Sequence, residues 1–330
     1  AATSRSPDDP CGGRAGRPAR APGACPGRAP MSLPRALLVS LRPHQWTKNL
    51  VVLAALAFSK HLFDADAAVR AASAFLVFCA LSGAAYLAND LVDAEHDRAH
   101  PVKRRRPIAS GALALPVARA AFAALLALGL LASWALGPPF FLCALAYLGL
   151  NVAYTFGLKN VVILDVLAVA LGFVLRAVAG AVVIQVVFSE WLIVCTLLLA
   201  LFLSLAKRRH ELVTLEDAAG HRSILAEYSP YLLDQMTAVV TASCLMAYAF
   251  YTLAPETVEK YRTDRLALTI PFVIYGIFRY LYLVHRKEQG GSPTDVLLAD
   301  RPLLAATVLW GLVVVLIVYT APGVPMPRGQ

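Results

Sequence analysis

Asn89, Asp90, Asp93 and Asp97 close the run Leu87-Ala-Asn89-Asp90-Leu-Val-Asp93-Ala-Glu-His-Asp97, where a long apolar stretch gives way to charge. Oxygen side chains in this pattern suit a hard divalent cation, since Mg2+ takes one or two carboxylates together with substrate phosphates and water. If residues 75 to 97 form one helix, Asn89, Asp93 and Asp97 stack at four-residue spacing. Asp90 then lies about 100° from Asn89, so all four share roughly one quadrant. A purely structural helix end has reasons to avoid this arrangement. Carboxylates near a helix C-terminus oppose its dipole, and like charges one turn apart repel. The chemistry expected is metal-assisted handling of a diphosphate at a membrane surface.

Positive side chains at the same depth would serve the remaining phosphate charge. Lys103, Arg104, Arg105 and Arg106 follow the acidic run. A second cluster, Lys207-Arg208-Arg209-His210-Glu211, is followed by Asp217, His221, Arg222 and Tyr228. Lys207 and Glu211 share a helix face. Glu211 is a candidate to bring one more carboxylate to the metal from across the bundle. Lys207 and Arg208 are candidates for phosphate oxygens, Arg as a planar fork and Lys as a point charge. The plainer reading of both clusters is a topology signal with local ion pairs.

Asp165 and Arg176 lie inside one apolar run, close to three helical turns apart, and are expected to point the same way. An arginine within a membrane normally faces a cavity or a partner. Tyr154 and Lys159 lead into that run. Arg42, Lys48 and Asn49 open the first apolar segment, facing either headgroups or the mouth of a cavity.

The elements that must position these residues follow from composition. The 330 residues are 58% apolar and 15% charged, well below the charge content of a soluble domain. Apolar runs long enough to span a bilayer recur at about 47–64, 68–89, 114–136, 138–156, 162–185, 189–206, 231–254, 266–284 and 302–320. Backbone exposed to lipid must bond to itself, so the expected architecture is all-α: a polytopic bundle of nine transmembrane helices. Chemistry then belongs to the bundle and its two largest polar loops, 90–113 and 207–230.

The net charge of +9 gathers in alternate loops. By the positive-inside rule this places the N-terminus and the acidic run in the cytoplasm and the C-terminus outside, in a plasma membrane. A nucleic-acid partner is not expected. Residues 1–30, rich in Ala, Gly, Pro and Arg, are expected to be a disordered tail ahead of a catalytic region at 31–330. Cys79, Cys143, Cys195 and Cys244 lie in apolar runs and read as small core residues.

The acidic run after the second span of a nine-helix bundle resembles that of the UbiA-type intramembrane prenyltransferases, over about residues 35 to 320. Within that superfamily the chain is most similar to the actinobacterial decaprenyl-phosphate phosphoribosyltransferase branch. The segments that carry this likeness are Arg42-Pro-His-Gln-Trp-Thr-Lys48-Asn49, Asn89 to Asp97, Lys103-Arg-Arg-Arg-Pro-Ile-Ala-Ser-Gly111, Leu175-Arg176-Ala-Val-Ala-Gly180 and Ala206-Lys-Arg-Arg-His-Glu-Leu212.

The resemblance implies transfer of a 5-phosphoribosyl group from phosphoribosyl diphosphate to decaprenyl or a related polyprenyl phosphate, a step toward an arabinose-donor lipid. It implies Mg2+ on Asn89, Asp90, Asp93 and Asp97, with the three aspartates catalytic, and leaves room for a homo-oligomer. One departure is informative. Where quinone and haem prenyltransferases carry a second Asp-x-x-x-Asp motif, this chain has Lys207-x-x-x-Glu211, which favours an additional phosphate. The alternatives are a prenyltransferase of the same fold acting on an aromatic acceptor, and a membrane transporter.

Overall fold

The computed structural model describes residues 31–99, 103–187, 189–214, 223–287 and 290–320. The expected tail at 1–30, together with His221 and Arg222, lies outside the described residues. Regular structure among those described is entirely helical: α1 (Leu33–Ser40), α2 (Ala54–Phe58), α3 (Ala65–Val92), α4 (Ala94–Ala99), α5 (Leu115–Ala135), α6 (Pro138–Phe156), α7 (Leu164–Val183), α8 (Glu190–Thr214), α9 (Pro230–Leu253), α10 (Pro255–Tyr261), α11 (Ile270–Arg286), α12 (Pro293–Ala299) and α13 (Arg301–Thr320), with short 3-10 turns between several of them.

Eight helical segments among the described residues are long and apolar enough to cross a membrane, which fits a multi-pass membrane protein. They match eight of the nine expected spans. The first, at 47–64, is not one helix. Residues 47–53 belong to a 3-10 helix over Pro43–Leu53, and the short α2 follows and ends at Phe58. Arg42 takes a left-handed conformation (φ 51°) between α1 and the 3-10 helix, and Pro43 supplies no N–H to continue α1 across that reversal. Lys60, also left-handed (φ 64°), ends the helical run after α2 within the expected span.

Local chemistry sets the other boundaries. Asp64 caps α3, its carboxylate accepting from the backbone N–H groups of Asp66 and Ala67. Ser229 caps α9, accepting from Leu232 N–H, with Pro230 at the first helical position. Gly137 (φ 121°) turns the chain between α5 and α6 just before Pro138-Pro139.

Helices α3 and α7 are the most enclosed of the eight, and α5 and α6 lie largely on the outside. The main packing partners are α8 with α9 and α7, α3 with α5, and α6 with α7. One apolar core centres on Phe78, Leu81, Phe140 and Tyr147. Another lies around Phe202, Ile277, Tyr280 and Leu283 in the second half. The 3-10 segment Pro43–Leu53 packs on both α7 and α3. A Cβ on Gly180 of α7 would stand 1.9 Å from the Val52 carbonyl oxygen, so only glycine permits this backbone approach. That contact seats Lys48 and Asn49 against the bundle centre.

Candidate active site

Helix α3 ends at Val92, and Asp93 forms its C-terminal cap before α4 begins at Ala94. The acidic run is therefore divided between two helices, which corrects the expectation of a single ladder. Asp90, on the last turn of α3, and Asp97, on α4, are both buried. The cation between them is Arg106, whose Nη1 donates to Asp90 Oδ1 at 3.1 Å and to Asp97 Oδ2 at 2.6 Å. Arg42 adds a second charge, donating from Nη2 to the same Asp90 oxygen at 2.6 Å while its guanidinium stacks 4.9 Å from the centre of the Tyr86 ring. Asn89 is held from α6, its Oδ1 accepting from Thr155 Oγ1 at 3.0 Å. Asp93 is half-buried.

Of the basic run after α4, Arg106 turns inward, Lys103 is half-buried and Arg104 is exposed. The two carboxylates and two guanidiniums balance in charge. Glu211 meets Arg208 and Lys207. No three carboxylate, imidazole or thiol groups gather as a metal cage among the described residues. The pair formed by Asp90 and Asp97 does fit Mg2+ that arrives with a diphosphate: two hard carboxylates already meet around one positive atom, and Mg2+ bound in this mode needs no more from the protein.

Deeper in the bundle lies a second polar group. Arg176 on α7 is buried, with no carboxylate beside it among the described residues. Its Nε donates to Asn49 Oδ1 at 2.8 Å, Nη1 to the Gly172 carbonyl at 2.8 Å and Nη2 to Tyr147 Oη at 2.8 Å. Asn49 in turn donates to Ser82 Oγ and Cys79 Sγ on α3. Neutral acceptors orient this guanidinium without cancelling its charge.

Lys48 stands within electrostatic reach of Arg176, Lys207 and Arg42. Burial first, and then the charges of Lys207, Arg176 and Arg42, push its ammonium down to about 8. Cations held together against their mutual repulsion make a place for anions.

Asp165 and Arg176 do not share a partner. Asp165 is fully buried and accepts from Arg208 Nε at 2.7 Å and Tyr228 Oη at 2.8 Å. Arg208 extends the chain to Glu211 at 2.6 Å. Tyr228 also accepts from the backbone N–H of Ile163, a β-branched residue held at φ 71°. This network ties α7, α8 and the segment before α9 into one wall. Arg208 is thus paired with two carboxylates, with Tyr154 in electrostatic reach of it. Lys159 lies half-buried on the turn before α7.

Tyr147, Thr155 and Tyr86 were not foreseen from the sequence. For two of them a signal was available: Tyr147, Asn151 and Thr155 recur every four residues and form a polar stripe along a largely apolar helix.

A sequence profile of the UbiA prenyltransferase family matches residues 49–294. The chain belongs to this family. It is 34% identical to the decaprenyl-phosphate phosphoribosyltransferase of Corynebacterium glutamicum, over 89% of this chain and 90% of that protein. It is 33% identical to the enzyme of the same name from Mycolicibacterium smegmatis, over 85% and 92%. The UbiA fold is also evident in three dimensions. A UbiA homolog from Archaeoglobus fulgidus bound to GPP and Mg2+ superposes with a TM-score of 0.65 at 20% identity, covering 85% of this chain and 99% of that one. The same homolog bound to Cd2+ gives a TM-score of 0.63 at 19% identity, over 86% and 99%. Arg42, on which Asp90 depends, lies outside the stretch matched to the UbiA family.

Proposed function

We propose that the chain transfers the 5-phosphoribosyl group of 5-phospho-α-D-ribose 1-diphosphate to the phosphate of decaprenyl or a related polyprenyl phosphate, releasing diphosphate. The observation that carries this reading is the surplus of positive charge beside a balanced acidic pair. Arg42 and Arg106 already neutralise Asp90 and Asp97. Lys48 and Arg176 remain as excess cations, with Lys207 beside them. A donor with a diphosphate and a 5-phosphate, together with a lipid phosphate, brings three anionic groups to match. The names of the two bacterial relatives support the same chemistry.

Asp90 and Asp97 are the residues that would hold Mg2+, with Asn89 and Asp93 at the same helix end. The ion, when bound, supplies charge neutralisation for the departing diphosphate. Arg42 and Arg106 keep the two carboxylates in place and are at hand for diphosphate oxygens. Lys48, Arg176 and Lys207 hold the other phosphates, and Asn49 and Tyr147 keep Arg176 aimed. Lys103, Arg104, Tyr154, Lys159, His221 and Arg222 are further candidates at the edge of the site.

In the reaction an oxygen of the lipid phosphate bonds to C1 of the ribose as the C1–O bond to diphosphate breaks, and the bonding pair leaves with the diphosphate. The nucleophile is already anionic, so no general base is required. Catalysis then rests on positioning and on charge stabilisation at the leaving group. The site faces the cytoplasmic side of a plasma membrane, where a water-soluble donor can enter and the acceptor's tail can stay in lipid.

Purified protein in detergent, given labelled phosphoribosyl diphosphate and decaprenyl phosphate, is expected to form a labelled lipid in the presence of Mg2+ and none without it. A preparation that instead prenylates an aromatic acceptor from geranylgeranyl diphosphate, and forms no phosphoribosyl lipid, would overturn the reading.

A further inference from the structure

Helix α3 carries three levels of the site on one face. Ser82, Tyr86 and Asp90 follow at four-residue spacing, about 6 Å apart along the axis. At the deep level Ser82 Oγ accepts from Asn49 Nδ2 at 3.2 Å, and Asn49 Oδ1 accepts from Arg176 Nε at 2.8 Å. At the shallow level Asp90 meets Arg42 and Arg106. Tyr86 stands between the two, its hydroxyl within electrostatic reach of Arg42, Arg176 and Tyr147. The Arg42 guanidinium stacks on its ring, 4.9 Å from the centre, and helps fix where the phenol sits.

That hydroxyl is uncommitted. Tyr147, Tyr228, Tyr248 and Tyr261 each spend theirs on a partner inside the protein. The Tyr86 hydroxyl has no hydrogen-bond partner among the described residues, and unlike that of Tyr280 it is not sealed from its surroundings. The residue as a whole is half-buried. A neutral group that can both donate and accept is thus held between two sets of cations.

We propose that Tyr86 is a specificity-determining residue, its hydroxyl hydrogen-bonded to the ribose 2-hydroxyl of the donor. This rests on the phosphoribosyl transfer argued above. With the diphosphate at Asp90, Arg176 takes either the 5-phosphate or the lipid phosphate. In the first case the ribose links the two levels. In the second, C1 lies in line between them. Either way sugar carbons pass Tyr86 at mid-height, and the 2-hydroxyl is the one nearest C1. The phosphates have cations above and below for partners, whereas a sugar hydroxyl is matched by a neutral one. In a prenyl diphosphate the same position is hydrocarbon and leaves the phenol unpaired. A site built to bond a hydroxyl strongly rejects a donor that lacks it.

The test compares phosphoribosyl diphosphate with its 2-deoxy analogue as donors to decaprenyl phosphate, with Mg2+, for the full chain in detergent and for Tyr86→Phe. Phenylalanine keeps the ring beneath Arg42 and removes only the hydroxyl. In the variant, kcat/KM for the ribosyl donor is expected to fall about tenfold, the scale of one hydrogen bond. For the 2-deoxy donor it should fall by less than about twofold, since that bond is already absent. Both donors are measured on one preparation, so partial unfolding of the variant cancels in the ratio. The intrinsic reactivity of the deoxy sugar cancels between variant and wild type. Equal losses on both donors, or no loss on either, would overturn the assignment. So would a loss that disappears with the 3-deoxy donor and persists with the 2-deoxy one. A wild type that forms no phosphoribosyl lipid sinks the underlying reaction as well, which separates that failure from the failure of Tyr86 alone.

Discussion

Nη1 of Arg106 lies 2.6 Å from Oδ2 of Asp97 and joins the short helix α4 to the end of α3 through Asp90. The protein's own cation thus stands between the two carboxylates best placed for a metal. Mg2+ on its own has to compete with that guanidinium, whereas Mg2+ carried by a diphosphate offers the guanidinium new oxygens. Calorimetry is expected to show Mg2+ binding strengthened at least about tenfold by saturating donor, with the donor strengthened equally by Mg2+, as linkage requires. Equal Mg2+ affinity with and without donor would refute this.

Asp90→Asn and Asp97→Asn should each lower kcat by at least about 100-fold, the scale of losing a transition-state electrostatic contact. Thermal unfolding should stay cooperative, because the amide still accepts from Arg106. Asp93 is a separate test of the expected metal set: Asp93→Asn matters to the rate only if its side chain joins the other two when the donor binds.

Lys48 gives the site a pH dependence of defined sign. Burial, and then the neighbouring cations, push its ammonium down to about 8, below the usual value for lysine, so at higher pH the ligand-free site loses a cation. Bound phosphate favours the protonated form, so binding takes up a proton and donor affinity falls as pH rises past about 8. Stability moves the other way. Between about 8 and the ordinary lysine pKa the unfolded chain holds the proton that the native chain has lost, and stability increases with pH across that window. Calorimetry in two buffers of different ionisation enthalpy measures the proton uptake, and Lys48→Met should abolish it.

The buried pair of Arg208 and Asp165 is expected to matter for folding more than for chemistry. Arg208→Met leaves a fully buried carboxylate without its cation and should lower the unfolding free energy by about 3 kcal/mol. Adding Asp165→Asn should recover most of that loss, since Tyr228 can still donate to the amide oxygen. Denaturant titration of single and double variants in detergent checks the recovery. A double variant as unstable as the single one would mean that the wall is held together elsewhere.

Gly180→Ala tests whether the 3-10 segment must touch α7. The added Cβ would meet the Val52 carbonyl at 1.9 Å, so Pro43–Leu53 has to move outward, taking Lys48 and Asn49 with it. Donor KM should rise at least about tenfold, on the scale of a displaced binding group. Tyr147→Phe should have a milder effect on the same cation, about 1 kcal/mol in binding, by removing one acceptor from Arg176.

The apolar runs alone determined eight of the membrane spans and the all-helical class, because each span is a local property: length, hydropathy and a polar stop. The acidic run from Asn89 to Asp97 and the basic clusters were equally legible as motifs, and they led to the UbiA family.

Tertiary structure decided the partners. Nothing in the spacing says that Arg42 and Arg106, rather than a metal, balance Asp90, or that Arg208 is committed to Asp165. Those pairings join residues far apart in the chain, and the approach that creates them depends on which helices pack together. The left-handed turn at Arg42 was likewise hidden, because arginine carries no preference for that conformation that a sequence could show. Asp165 and Arg176 share a helix and a nominal face, yet they serve different networks. Each side chain answers to the helix packed against it at its own level, α8 for one and the 3-10 segment with α6 for the other.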